Sequence, residues 1–163
     1  MIILQKSMSG VNEASLARFL TKAKRAAGLS GSVNVLVTNN RALRSLNRHF
    51  RHKNEPTDVL SFPADVETHG FAGDVAISLE IARSNAHRLG HPVADEVKIL
   101  MLHGLLHLAG YDHETDDGKM SRLEDSLRKR LGLPVALIAR TRNGSQGLSS
   151  IRKSPSASRR PRR

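Results

Sequence analysis

The spacing of apolar residues divides the chain into alternating extended and helical stretches. Residues 2–5 are short and β-branched and predict an edge strand. From Val11 to Ala27, Leu16, Phe19, Leu20 and Ala23 fall at helical spacing, with Asn12 or Ser9 as N-cap and Gly28 and Gly31 as terminators. Val33, Val35 and Val37 alternate across 32–38, the period of a strand with one buried face. Asn39 or Asn40 caps a second helix, with Leu43, Leu46 and Phe50 on one face. A charged loop over 51–56 closes at Pro56, which disfavours helix at Glu55. Residues 58–62 then read as a short strand, 63–72 as a polar connection and 73–78 as another strand. Helices follow over 79–89 and 94–109, separated by Gly90-His91-Pro92. The second is apolar nearly all round, which places it centrally, packed on several sides. Asp116 or Asp117 caps a last helix to about Leu131. This order predicts an α+β fold, a small mixed sheet of about four strands packed with about five helices.

Composition changes that picture at one end only. The chain has 163 residues and a net charge of +11. Eight of its 26 Lys/Arg and none of its 15 acids lie between Ala139 and Arg163, so residues 1–138 are nearly balanced. Gly132-Leu133-Pro134 ends the periodic pattern. The expectation is a single domain over 1–138, followed by a basic tail over 139–163 too poor in apolar residues to offset its ordering entropy. Such a tail seeks polyanions. With no Cys, there are no disulfide partners, thiolate zinc sites or Cys nucleophiles. The N-terminus lacks an apolar signal-peptide core, and no run of about 18 apolar residues exists, so the expected setting is the cytoplasm without a membrane.

The chemistry concentrates in residues 103–113, His-Gly-Leu-Leu-His-Leu-Ala-Gly-Tyr-Asp-His. On the central helix, His103 and His107 share one face, one turn apart. Gly110 can turn the chain out of the helix and bring His113 back to the same point. Three neutral imidazoles suit Zn²⁺ and leave its fourth position open, as catalytic zinc sites do. The ligand spacing matches the long zinc-protease motif, His-x3-His-x2-Gly-x2-His. The Glu that follows the first His as general base in those peptidases is Gly104 here. Lone histidines on helices are ordinarily core or surface residues, but three at this spacing point to ligands. A structural zinc would need a fourth ligand, from Asp112 or Asp116.

Two separated stretches carry a resemblance. One is Leu46-Asn47-x2-Phe50-Arg51, leading to Pro56-Thr57-Asp58-Val59-Leu60-Ser61-Phe62-Pro63. The other is His103-Gly104-x2-His107-Leu108-x-Gly110-Tyr111-Asp112-His113, with Gly73-Asp74 between the two. Over roughly 1–132 the chain resembles the YbeY family of bacterial endoribonucleases, the rRNA maturation factors. That resemblance implies a zinc-dependent, single-strand-specific endoribonuclease with one Zn²⁺ per chain, held by His103, His107 and His113. It implies a role in 16S rRNA 3′-end maturation and ribosome quality control. The implied partners are single-stranded ribosomal RNA, the small ribosomal subunit and its assembly factors, including a GTPase and a small-subunit ribosomal protein. Arg51 takes the place of the family's functional arginine. The family loop usually reads Arg-Gly-x-Asp-x-Pro-Thr, and here His52 and Asn54 replace the Gly and the Asp.

Phosphodiester cleavage needs a nucleophile and stabilisation of developing charge. Arg51 suits the second task, since a guanidinium binds phosphate bidentately, although an Arg in a charged loop is commonly just solvated. Either the RNA 2′-OH or a metal-activated water can supply the nucleophile. Asp58 and Asp74 stand at strand starts, as backbone caps or as carboxylates orienting a ligand His. Tyr111 packs or lines the cleft, and His52 beside Arg51 is a proton shuttle or a solvated loop residue. One Tyr, four Phe and no Trp provide little for base stacking, so recognition should rest on phosphates. Two other readings remain: a zinc peptidase, disfavoured by Gly104, and a non-catalytic ribosome-assembly factor with structural zinc.

Overall fold

The computed structural model describes residues 1–5, 10–65, 69–113 and 115–134. Among these residues nine elements follow one another: β1 (Ile2–Leu4), α1 (Glu13–Ala26), β2 (Ser32–Thr38), α2 (Asn40–Arg51), β3 (Val59–Pro63), β4 (Phe71–Ser78), α3 (Leu79–Leu89), α4 (Val93–Leu108) and α5 (Lys119–Leu131). The fold is α+β. Among the described residues the strands form one mixed sheet of order β1-β2-β4-β3. β1 pairs with β2 and β2 with β4 in parallel, and β3 pairs with β4 antiparallel.

Local chemistry sets the boundaries. Asn12 and Asn39 are the N-caps of α1 and α2, their side chains accepting from Ser15 N at 3.0 Å and Ala42 N at 2.9 Å. Asp116 anchors α5 from two residues upstream of its N-cap Gly118, accepting from Gly118 N and from Met120 N at 2.8 Å. β4 begins at Phe71, two residues ahead of the sequence expectation, because Ser32 pairs with Phe71 in the parallel ladder. That gain comes from a partner strand far away in the chain, invisible to local pattern.

Side chains alternate across the sheet. One face sets Val33, Val35, Val37, Val75 and Ile77 against the apolar sides of α1 and α4, with α5 packed behind them. α4 justifies the expectation of a central helix: every residue from Ile99 to Leu106 is buried. On the other face, Leu60 and Ala76 meet Leu43 of α2, flanked by Leu46 and Phe62. Phe50 departs from the helical pattern. It was expected on the apolar face of α2, yet it is 58% exposed, resting on Phe62 with ring centroids 4.9 Å apart. α2 has run past the sheet's cover by that turn.

α4 approaches the sheet most closely at Gly104. A Cβ there would stand 2.7 Å from Val75 Cγ1, 3.1 Å from Ser61 Oγ and 3.3 Å from Val59 Cγ2. The Ser61 hydroxyl donates to Gly104 O at 3.1 Å. Further along, a Cβ on Gly73 would meet Leu108 at 2.9 Å. The C-terminal end of α4 therefore lies over the Pro63/Gly73 end of the β3–β4 pair. Among the described residues no helix is long and apolar enough to cross a membrane.

Candidate metal centre

The end of α4 is shaped to bring three imidazoles together. Gly110 adopts φ +89°. Its N–H donates to His107 O at 3.0 Å, and Tyr111 N donates to Leu106 O at 3.1 Å. These two bonds make a Schellman stop, which reverses the chain and returns His113 to the pair on the helix. The ring centroids are 4.8, 5.4 and 5.3 Å apart for the 103–107, 103–113 and 107–113 pairs. One nitrogen from each ring lies within 4.8 Å of the other two, close enough to hold a metal ion. His103 is buried, His107 half-buried and His113 exposed, so the cluster opens to solvent on the His113 side.

The donor set fits a cation. The Nε2 atoms of His103 and His107 face each other at 3.1 Å. Ligands at about 2.0–2.1 Å in a tetrahedron around zinc stand about 3.3 Å from one another. Glu124 of α5, fully buried, lies 2.9 Å from His103 Nδ1. A carboxylate at Nδ1 holds the proton on that nitrogen and leaves Nε2 as a lone-pair donor, the usual outer partner of a ligating histidine. Burial, and then the adjacent His103 and His113, lower the His107 pKa to about 4 against the pull of the Tyr111 backbone and Asp112. His107 is therefore neutral near pH 7, the form that ligates. Among the described residues the cluster consists of the three histidines alone. Asp116 is committed to the N-terminus of α5, and Asp112 accepts from Thr115 Oγ1 at 3.2 Å.

Gly104 now has a physical reason. Its position faces the sheet and is closed by Val75, Ser61 and Val59. A glutamate there has no room and no path to the imidazoles, so the peptidase base is absent by packing as well as by sequence.

The other singled-out residues separate. Asp58 caps locally, accepting from Val59 N at 2.9 Å and from Thr57 Oγ1. Asp74 accepts from Asn34 Nδ2 at 3.0 Å and, by strand alternation, points to the α2 face rather than to the histidines. The carboxylate that orients a histidine is Glu124, which sequence reading passed over. Its signal was an acid within the apolar stripe of α5, between Met120 and Leu127, both buried. Tyr111 packs against the main core. His91 pairs with buried Glu96 at 2.6 Å. His52 occupies the left-handed C-cap of α2 at φ +57°, a conformation that costs an L-residue roughly 1–2 kcal/mol and glycine nothing.

Arg51 is the exposed last residue of α2. α2 and α4 cover opposite faces of the sheet, yet they end at the same end of it. Phe50 rests on Phe62, whose pairing partner is Asp74, one residue from the Gly73 that Leu108 covers. Arg51 and the histidines thus flank the same end of the edge strand β3 from two sides.

Fold and site define a small α+β protein with three imidazoles close enough to hold a cation where its central helix stops. The family model described as "Endoribonuclease YbeY" matches residues 3–132. Proteins of that name from Koribacter versatilis and Solibacter usitatus are 57% and 40% identical over 141 and 142 residues, covering 86% and 87% of this chain and 91% and 95% of theirs. A Thermotoga maritima protein solved in solution superposes with a TM-score of 0.53 at 25% identity, over 94% of this chain and all of that one. The chain belongs to the YbeY endoribonuclease family.

Proposed function

We propose that the protein is a zinc-dependent endoribonuclease that cuts single-stranded RNA, acting in the cytoplasm in 16S rRNA 3′-end maturation and ribosome quality control. The carrying observation is the convergence of His103, His107 and His113, with Glu124 behind His103, in a chain of this family. The three imidazoles would hold one Zn²⁺. When bound, zinc supplies Lewis acidity to a phosphoryl oxygen and lowers the pKa of a water.

The protein's own residues supply the rest. Glu124 fixes the His103 ring and its tautomer. The neutral state of His107 keeps a proton from competing for its donor nitrogen. Arg51, at the same end of β3, would meet the non-bridging oxygens of the scissile phosphate as charge develops. The lack of a carboxylate base at Gly104 suits RNA better than peptide, because phosphate brings charge for Arg51 to meet and RNA carries its own 2′-OH. Ribosomal RNA, the small subunit and its assembly factors are the partners. The division into a domain over 1–138 and a polyanion-seeking tail is part of the proposal, since residues 139–163 lie outside the described residues.

The test is elemental analysis of the native protein beside His107→Ala, with cleavage of single-stranded RNA followed on the same samples. One zinc per chain, lost together with cleavage in the variant, supports the metallo-ribonuclease. Zinc without cleavage favours an assembly factor with structural metal, and absence of metal overturns the reading of the histidines. Arg51→Ala should keep its zinc and lose cleavage by ~10²-fold or more, the scale of one lost charge stabiliser. Native rates in that variant remove Arg51 from the site.

A further inference from the structure

α2 carries a second feature that the histidine centre does not use. Arg41, Arg44, Arg48 and Arg51 recur at i, i+3, i+7 and i+10, and all four are exposed. At 100° per residue they occupy an arc of about 80°, and at 1.5 Å per residue they span about 15 Å. α2 contains no acidic residue, and among the described residues none of the four arginines is in an ion pair. Like charges three and four apart destabilise a helix. Arg41 also sits in its first turn, where the helix dipole disfavours cations, while Arg48 and Arg51 lie in the last turn, where it favours them. Four exposed arginines on one arc of a helix that carries no acid leave a positive face that an external anion can answer.

The arc has a direction. Leu43 and Leu46 lie on the opposite side of α2, over the sheet, and Phe50 continues that side onto Phe62 at its margin. Asn47 borders the arc and donates from Nδ2 to Glu55 O at 2.8 Å, in the loop that enters β3. The arginines therefore flank the side of α2 that leads to the β3 edge, and the last of them, Arg51, reaches the end of the sheet where the histidines gather.

We infer that Arg41, Arg44 and Arg48 form a track for the phosphates of a single-stranded RNA whose scissile bond lies at the histidine centre, guiding the strand along α2 and past Arg51. This rests on the ribonuclease reading. The contacts are to phosphate, so they add affinity that depends on salt and hardly on sequence.

A built-in control exists on α1, where Arg18, Lys22 and Arg25 share a face at similar spacing and are exposed. α1 packs at β1, the opposite edge of the sheet from β3. The experiment compares Arg41→Gln/Arg44→Gln/Arg48→Gln with Arg18→Gln/Lys22→Gln/Arg25→Gln in the full zinc-loaded chain. It measures binding of labelled oligouridylate and oligoadenylate by fluorescence anisotropy across a salt series. The α2 variant should weaken binding to both oligonucleotides and reduce the slope of log K against log salt by about 2, for three phosphate contacts at about 0.7 each. The α1 variant, with the same charge removed, should keep the native slope. Arg44→Gln alone, with a slope change of about 0.7, serves if the triple variant does not fold. Native affinity and slope in the α2 variant, or equal losses in both variants, overturn the track and leave the ribonuclease standing. A native protein that binds neither oligonucleotide overturns the ribonuclease reading, and the track with it.

Discussion

Substituting Gly104 tests the close contact that seats α4, and with it the histidine cluster, on the sheet. In an open helix interior, Gly→Ala gains about 1 kcal/mol of helix propensity. Here the new methyl would sit 2.7 Å from Val75 Cγ1, about 1 Å inside the ~3.5–4.0 Å optimum for carbon pairs. Ser61 Oγ at 3.1 Å and Val59 Cγ2 at 3.3 Å close the other directions. Val75 is a buried strand residue, β-branched and stiff at χ1, so it yields little. Overpacking of this kind costs about 1–3 kcal/mol, which exceeds the propensity gain and leaves a net loss of roughly 1 kcal/mol. The double-mutant cycle with Val75→Ala is more decisive than the single value. The smaller residue makes room for the methyl, and the methyl fills part of the space lost, so the two changes should couple favourably by about 1 kcal/mol or more. Urea denaturation of the native protein, both single variants and the double supplies all four corners. Additivity within about 0.3 kcal/mol, or a Gly104→Ala protein more stable than native, would refute the close approach of α4 to the sheet. Gly104→Glu adds an unpartnered carboxylate to the same closed space and should abolish folding rather than create a peptidase.

Other expectations follow from the same geometry. Glu124→Gln keeps shape and an acceptor but removes the charge behind His103, and zinc affinity in a chelator competition should fall about 10–100-fold; unchanged affinity would detach Glu124 from the centre. His52→Gly relieves the left-handed C-cap of α2 and should raise stability by about 1 kcal/mol in thermal or urea unfolding; a loss would show that the His52 side chain contributes more than its backbone strain costs. His107 titrates near 6.5 in the unfolded chain and at about 4 in the folded one. Between those values the unfolded state binds more protons, so metal-free stability should fall as pH drops from 6.5 toward 4 and lose no more from this group below. In His107→Asn that part of the pH dependence should vanish, and an unchanged profile would assign it elsewhere.

Legibility from sequence followed sequence distance. The valine alternation of β2, the apolar girth of α4, the i, i+4 histidines and the glycine that turns His113 back are local, and each reappears in the structure. What depends on partners remote in the chain was hidden. The early start of β4 comes from pairing with β2. The orienting carboxylate comes from Glu124, 21 residues beyond His103, while Asp74, nearer the motif in composition, faces the other side of the sheet. Phe50 has the spacing of a core residue, and only the extent of the sheet under α2 decides that it is exposed.

The strand order carries a consequence for the life of the chain as it leaves the ribosome. β4 is made last among the strands and lies inside the sheet, between β2 and β3. Its pairing with β2 and β3 cannot be completed until residues 71–78 have emerged. Every imidazole of the cluster, and Glu124 with them, is synthesised later still. The strands can thus pair before any of these side chains exists, but their buried face waits for α4, which brings His103 and His107 with it. In that order of events the cation site is assembled with the helical layer and not with the sheet.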